Sequence, residues 1–257
     1  MTGKGKFLEA QNVAFSYSGS DSQVLHSVSA QIAPGSFLAI LGVNGSGKST
    51  FLSCLDDVLR PQAGTVLLDG ESLSQIGRMQ RAQSIAYVAQ HSHANRLNVY
   101  DALLLGRKPY VKTAPSDHDY DVVDRVMQSM DLEKYAMRYV DELSGGEYQK
   151  MIIARSFVQE PDVLLLDEPT NNLDMANQAE VLRFVRQAVD QQGLAAAAVM
   201  HDINLALRYC DRFLFIKQGE VLVCGGPEVI DAQLIKNVYG IDADVLEHKG
   251  RKVIIPE

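Results

Sequence analysis

Hydrophobic and polar positions alternate at Val13, Phe15 and Tyr17, and again at Val28, Ala30 and Ile32. A period of two puts one set of side chains on one face, so both stretches predict half-buried strands. Gly19-Ser20-Asp21 and Pro34-Gly35 punctuate them as turns. Residues 37–41 contain no polar position, the pattern of a strand covered on both faces. A glycine-rich stretch follows. The spacing then predicts a helix over 50–59, stopped by Pro61 and Gly64, and a strand over 65–68 closed by an Asp69-Gly70 turn.

The period changes in the middle of the chain. From Asn98 to about Tyr139 helix formers dominate, and Val122, Val126 and Met130 recur at i, i+4 and i+8 on one helical face. Residues 91–142 are expected to form a helical subdomain inserted within a single domain spanning 1–257. Beyond it, 163–166 predicts a buried strand. A helix over 175–191 turns Leu182, Val185 and Val189 inward and stops at Gly193. Residues 195–200 pull two ways. Four alanines favour helix, but the run is short and bounded by Gly193 and a polar His-Asp pair, which predicts a buried strand. The tail predicts strands over 212–216, 220–223 and 252–255 and a helix over 228–238. Strands alternating with helices imply an α/β core with a mainly parallel sheet, whose ligands bind beyond the carboxyl ends of the strands.

Composition narrows the function. The 257 residues are 46% hydrophobic and 22% charged, ordinary for a globular protein. Lys and Arg number 24 against 32 Asp and Glu, a net charge of −8. A chain gripping nucleic acid through its phosphates is expected to be basic, so nucleic acid is not expected as a partner. Cys54, Cys210 and Cys224 are too far apart for a CxxC site and are expected to be reduced and packed. No apolar stretch reads as a signal peptide or approaches the ~20 residues that span a bilayer. Any membrane role is therefore expected to run through a partner.

The chemistry begins at Gly42-Val43-Asn44-Gly45-Ser46-Gly47-Lys48-Ser49, which matches the phosphate-binding GxxxxGK[ST] loop and lies between a predicted strand and a predicted helix. Glycines let the backbone curl around phosphates, and the amides of the loop and helix start point at the anion. Lys48 is expected to reach the β- and γ-phosphates and the Ser49 hydroxyl to hold Mg²⁺. The strand over 163–166 ends in Asp167-Glu168. Asp167 fits the acid that helps hold Mg²⁺. Side chains alternate along a strand, so Glu168 is expected to point elsewhere, where it can polarise the attacking water. Leu143-Ser144-Gly145-Gly146-Glu147 opens a second helix over 148–158. That is a second anion site where one ATP needs only one, a hint that two chains share nucleotides.

These motifs, in this order, make nearly the whole chain resemble an ATP-binding cassette (ABC) ATPase subunit. The loop at 42–49 is followed by a Q-loop glutamine, Gln90, in Tyr87-Val88-Ala89-Gln90, then the LSGGE signature at 143–147 and the Walker B run at 163–168. Asn172-Leu173-Asp174 matches the D-loop, His201 the switch histidine, and Tyr17 the aromatic that stacks on adenine. Ala89 stands where proline is usual, Glu147 where glutamine is commoner and Tyr148 where arginine is frequent; none removes a phosphate ligand. His91 and His93 lack a nearby third metal ligand. Asp117, Asp119, Asp121 and Asp124, with His118, are better explained by a helix N-terminus and solvation.

The resemblance implies a P-loop NTPase core with a mainly parallel sheet, an N-terminal antiparallel β subdomain and an α-helical insert. It implies ATP and Mg²⁺ as cofactors, with Ser49, Gln90 and Asp167 on the metal and Glu168, His201 and Gln90 in hydrolysis. Nucleotide contacts are implied for Tyr17, Gly42, Asn44, Gly45, Ser46, Gly47, Lys48, Ser49 and Thr50. Ser144, Gly145, Gly146, Glu147 and Asp174 are implied to reach the nucleotide of a second copy in a head-to-tail homodimer. Integral-membrane permease subunits are the further implied partner, with a substrate-binding protein acting indirectly, at the cytoplasmic face of the membrane. No regulatory domain is expected after the core.

His201-Asp202-Ile203-Asn204-Leu205-Ala206, Val238-Tyr239-Gly240-Ile241 and Leu105-Gly106-Arg107-Lys108-Pro109-Tyr110 resemble importers of iron–siderophores, heme and cobalamin. Two rivals stay open: a soluble ABC ATPase of iron–sulfur cluster assembly, and a cassette remodelling nucleic acid or ribosomes. The latter usually carries two cassettes, and only one P-loop is present here. A groove over 91–110 is expected to receive a cytoplasmic helix of the permease. Leu103, Leu104 and Leu105 cannot all face inward on one helix, so at least one is expected to be partly exposed; the alternative is that all three pack within the insert. Arg107 and Tyr110 are amphipathic types favoured at interfaces. Charge reversal at Arg107, or Leu104→Asp, is expected to uncouple transport while sparing ATP binding.

Overall fold

The computed structural model describes residues 5–19, 22–89, 96–171 and 173–257. Gln90, His91, His93 and Asn172 lie outside the described residues. In chain order the elements are β1 (Leu8–Phe15), β2 (Leu25–Ile32), β3 (Phe37–Leu41), α1 (Lys48–Leu55), β4 (Ala63–Leu68), β5 (Glu71–Ser72), α2 (Arg78–Ser84) and β6 (Ile85–Val88). Then follow α3 (Val99–Leu104), α4 (Asp117–Ser129), α5 (Gly145–Val158), β7 (Val163–Asp167), α6 (Met175–Gln192) and β8 (Ala195–Val199). The chain continues through α7 (Ile203–Tyr209), β9 (Arg212–Lys217), β10 (Glu220–Gly225), α8 (Ala232–Tyr239), β11 (Ala243–His248) and β12 (Arg251–Pro256).

All five residues of β3, β7 and β8 are buried, because these strands are covered on both faces. They sit inside a six-stranded sheet of order β10-β9-β3-β8-β7-β6, parallel except for β10. Phe37, Ala39, Leu41, Leu164 and Leu166 face α5, α6 and the helical insert. Leu38, Ile40 and Leu165 face the other way, onto α1 and the antiparallel sheet β2-β1-β4-β5. Burial on both sides overrides the helix propensity of the four alanines in β8. The β11–β12 hairpin stands as a separate two-stranded sheet. The fold is thus an α/β P-loop NTPase core with a mainly parallel sheet, an antiparallel β layer and helices.

Several boundaries move. The helix expected over 50–59 begins at Lys48, inside the phosphate-binding motif, and ends at Leu55. The helix expected over 228–238 is two pieces. A 3₁₀ turn spans Pro227–Val229, Ile230 is extended, and α8 restarts behind Asp231, whose carboxylate accepts from the Leu234 amide at 2.7 Å. Tyr17 lies beyond the end of β1. Cys54 and Cys210 are buried and Cys224 is exposed; all three are free thiols.

Within 98–139, Val122 and Met130 are buried in the core and Val126 packs beside them. Leu103 is fully buried, Leu104 is half-buried and Leu105 is 47% exposed, as three consecutive helical positions require. Arg107 corrects the expectation of an interface cation. It is 2% exposed, and its guanidinium donates to Asp119 (2.8 Å), Glu160 (2.8 Å) and the Val158 carbonyl (3.0 Å) while lying 4.1 Å over the Tyr110 ring. Asp119 also accepts from the Ser116 amide and hydroxyl, closing the capping box that starts α4.

Those Ser116 bonds first, and Arg107 after them, hold the Asp119 carboxyl at about 2. Its stabilising effect is present above the unfolded value of roughly 4 and lost as pH falls through about 2. Charge reversal at Arg107 therefore tests stability and not docking. Arg107→Ala is expected to destabilise the protein by roughly 3–5 kcal/mol, the cost of stranding a buried partner, read as a lowered urea midpoint. An unchanged midpoint would show the pair to be energetically idle.

Candidate functional site

The loop between β3 and α1 is shaped by its glycines. Gly42 has φ 148, and a Cβ there would lie 2.1 Å from the Ile216 carbonyl oxygen. Gly45 has φ 77 with nothing within 4 Å of an added Cβ, so its side of the loop is an open cradle. Gly47 precedes α1 with φ 101, and no side chain caps the helix. The amides that open α1 are left as donors for an anion. Ser46 Oγ is buried without a hydrogen-bond partner among the described residues.

Lys48 folds back over the loop, only 6% exposed, and donates to the Gly42 and Val43 carbonyls at 2.9 Å each. Burial pulls its pKa down, while the Glu168 and Asp167 carboxylates act against that. Ser49 Oγ donates to Asp167 Oδ1 at 2.8 Å across 118 residues of sequence. Burial pushes the Asp167 carboxyl up; the Ser49 hydrogen bond opposes this and the Glu168 charge adds to it. A hydroxyl and a carboxylate converging beside a phosphate cradle are hard oxygen donors of the kind Mg²⁺ takes, so the residues present fit a metal–nucleotide.

Glu168 does not simply continue the strand. Its φ of 51 is left-handed, a conformation a non-glycine residue adopts at a cost. The kink brings its carboxylate into the same cleft as Lys48. There His201 Nε2 lies 2.6 Å from Glu168 Oε1, and Asn171 Nδ2 donates to Oε2. Tyr17 stands 47% exposed at the rim, its ring edge-on to Phe15 and its hydroxyl 3.0 Å from Thr50 Oγ1. The resulting cleft of about 740 Å³ is lined by Tyr17, Val24, Asn44, Gly45, Gly47, Lys48, Ser49, Thr50, Glu168, Asn171 and His201. It is open enough for a nucleotide and carries a carboxylate fixed at both oxygens.

The second group of expected residues does not line this cleft. Ser144 caps α5, Glu147 answers by accepting from the Ser144 amide at 2.8 Å, and Gly146 packs on Asn177, where a Cβ would meet Nδ2 at 2.9 Å. Asp174 caps α6 through the Asn177 amide at 2.8 Å. The Tyr135 hydroxyl, then the Ser144 groups, hold the Glu147 carboxyl down at about 2, with Arg138 3.9 Å away. Glutamate in place of glutamine thus keeps the acceptor that closes the capping box.

Two neighbours of the site were not singled out from sequence. Asn171 is in a turn, its amide donating to the Glu168 carbonyl at 3.2 Å, and an Asn three residues after a strand-end acid is the local signal. Tyr87, at 3.3 Å from Ser53, carries no signal of its own.

The sequence model of the ABC transporter family matches residues 25–171. The chain is 45% identical over 249 residues to the uncharacterized ABC transporter ATP-binding protein MJ0089 of Methanocaldococcus jannaschii, covering 97% of each. It is 36% identical over 235 residues to the hemin import ATP-binding protein HmuV of Bordetella avium, covering 88% of this chain and 90% of that protein. Among solved structures it resembles a dimer of the ATP-binding cassette MJ0796 in a post-hydrolysis state bound to ADP and Pi. The TM-score is 0.77 at 26% identity, over 85% of this chain and 98% of that one. With a glycine-shaped loop, a buried lysine and Glu168 around one cleft, and Asp167 bonded to Ser49 beside it, the chain belongs to the ABC transporter family and is an ATP-hydrolysing subunit of it.

Proposed function

We propose that the chain, one domain over 1–257 with a helical subdomain at 91–142, powers a membrane importer. Two copies clasp two ATP head to tail. Lys48 leaves its two carbonyls for the β- and γ-phosphates, and Gly42, Asn44, Gly45, Ser46, Gly47 and Thr50 supply the cradle. Tyr17 stacks on adenine. Ser49, Asp167 and Gln90 hold Mg²⁺, which supplies charge neutralisation at the phosphate oxygens. Glu168, fixed by His201 and Asn171, accepts a proton from the attacking water. Ser144, Gly145, Gly146, Glu147 and Asp174 complete the second copy's site. The observation that carries this reading is the division itself: Tyr17, Asn44, Gly45, Gly47, Lys48, Ser49 and Thr50 line the cleft, and Ser144, Gly145, Gly146, Glu147 and Asp174 do not.

No helix among the described residues is long and apolar enough to cross a membrane. Integral permease subunits are therefore the partners we propose, with the chain peripheral at the cytoplasmic face and a substrate-binding protein acting beyond them. Relatives named for hemin, petrobactin and cobalamin import support an iron-siderophore, heme or cobalamin cargo. A docking groove is offered by Tyr87, Val88, Leu105, Gly106, Ile152 and Arg155, around a cavity of about 220 Å³. Leu105, and not Leu104, is its exposed leucine. Purification from membranes tests the reading: a polytopic permease is expected to accompany the chain, and recovery with a soluble scaffold alone would support the iron–sulfur assembly reading instead. Leu105→Asp is expected to abolish that co-purification and transport while ATP binding stays within about twofold, since a surface change away from the cleft costs little stability. Transport surviving it would place docking elsewhere.

A further inference from the structure

The C-terminal hairpin takes no part in either large sheet, and isolated two-stranded hairpins are marginal in water. α8 packs on β11, and α7 packs on β12. Val245 and Ile254 share one face of the hairpin and pack with Ile203, Leu205 and Leu207 in one apolar cluster. The Asn204 side chain then treats β12 as a neighbouring strand would. Its Nδ2 donates to the Ile254 carbonyl at 3.0 Å, and its Oδ1 accepts from the Ile254 amide at 2.8 Å. An outward-facing N–H and C=O of an edge strand are thereby both satisfied by one amide.

Asn204 is three residues from His201. Between them Asp202 caps α7 by accepting from the amides of Asn204 (2.8 Å) and Leu205 (3.0 Å), so the first turn is tied on both sides. His201, within 2.6 Å of Glu168, lies in the short link between the end of β8 and the Asp202 cap, so the seven-residue α7 fixes the downstream side of that link. We infer that Asn204 is a positioning residue: by clamping α7 to the hairpin it sets where His201 meets Glu168, and so the hydrolytic step, without touching nucleotide. The inference rests on the proposed role of His201.

The test uses the full-length chain. Asn204→Ala is expected to lower kcat about tenfold, within the roughly 10²-fold that a 1 Å misplacement can cost. ATP affinity should stay within twofold, and the melting temperature should fall by no more than roughly 4 °C. In a His201→Ala background, followed by single-turnover hydrolysis, Asn204→Ala is expected to add nothing, because residues acting through one another are not additive. An unchanged kcat overturns the inference. So does ATP affinity falling in step with kcat, or a further tenfold loss without His201. If His201→Ala alone hydrolyses normally, the role of His201 fails first, and the two failures are told apart.

Discussion

Glu168→Gln is expected to reduce ATP hydrolysis by roughly 10²–10⁴-fold, the usual worth of general-base assistance, while ATP still binds. Glutamine preserves the acceptor toward Asn171 and the shape of the side chain but cannot take a proton. The left-handed backbone at position 168 is retained, since glutamine meets the same steric cost there. Nothing in the phosphate cradle is altered, so bound ATP should persist and the variant should migrate as a dimer in ATP and as a monomer without it. Near-normal turnover would remove Glu168 from the role of base.

Lys48→Ala acts one step earlier. The ammonium bridges two loop carbonyls at 2.9 Å in a site where burial disfavours its charge, so it is poised for an anion that satisfies it better. Hydrogen bonds to charged groups are worth about 1.5–3 kcal/mol, which makes the expected loss of ATP affinity roughly 10- to 100-fold. Titration with a fluorescent ATP analogue separates the two variants: the Glu168 change retains nucleotide and the Lys48 change releases it. Equal, tight binding by both would show that Lys48 serves only to close the loop.

The core strands were readable because double burial leaves no polar residue in them, as at residues 37–41 and 163–166. The glycine-rich loop was readable because Gly42, Gly45 and Gly47 answer a backbone requirement that few other residues meet. Roles that arise from long-range placement were not. Arg107 looks like an interface residue until Asp119 and Glu160 are seen to enclose it. For Glu168 the alternation already separates it from Asp167; what the pattern does not show is the positive φ with which it enters the cleft. The short helices α2 and α7 have too few turns to show a period; α7 starts at its Asp202 cap, and α2 has no side-chain cap. Asp231, a single capping side chain, splits what periodicity reads as one helix.

The three thiols differ in a way that bears on experiment. Burial pushes Cys54 up to about 12 and Cys210 well above its ordinary value, so neither offers a thiolate at neutral pH. Cys224 is exposed on β10, at the edge of the six-stranded sheet opposite β6. The unmodified chain therefore presents one addressable position for a maleimide dye, at one label per chain. Because β10 lies at the opposite edge of that sheet from β6, a fluorophore there leaves the proposed docking groove beside Tyr87 and Val88 clear.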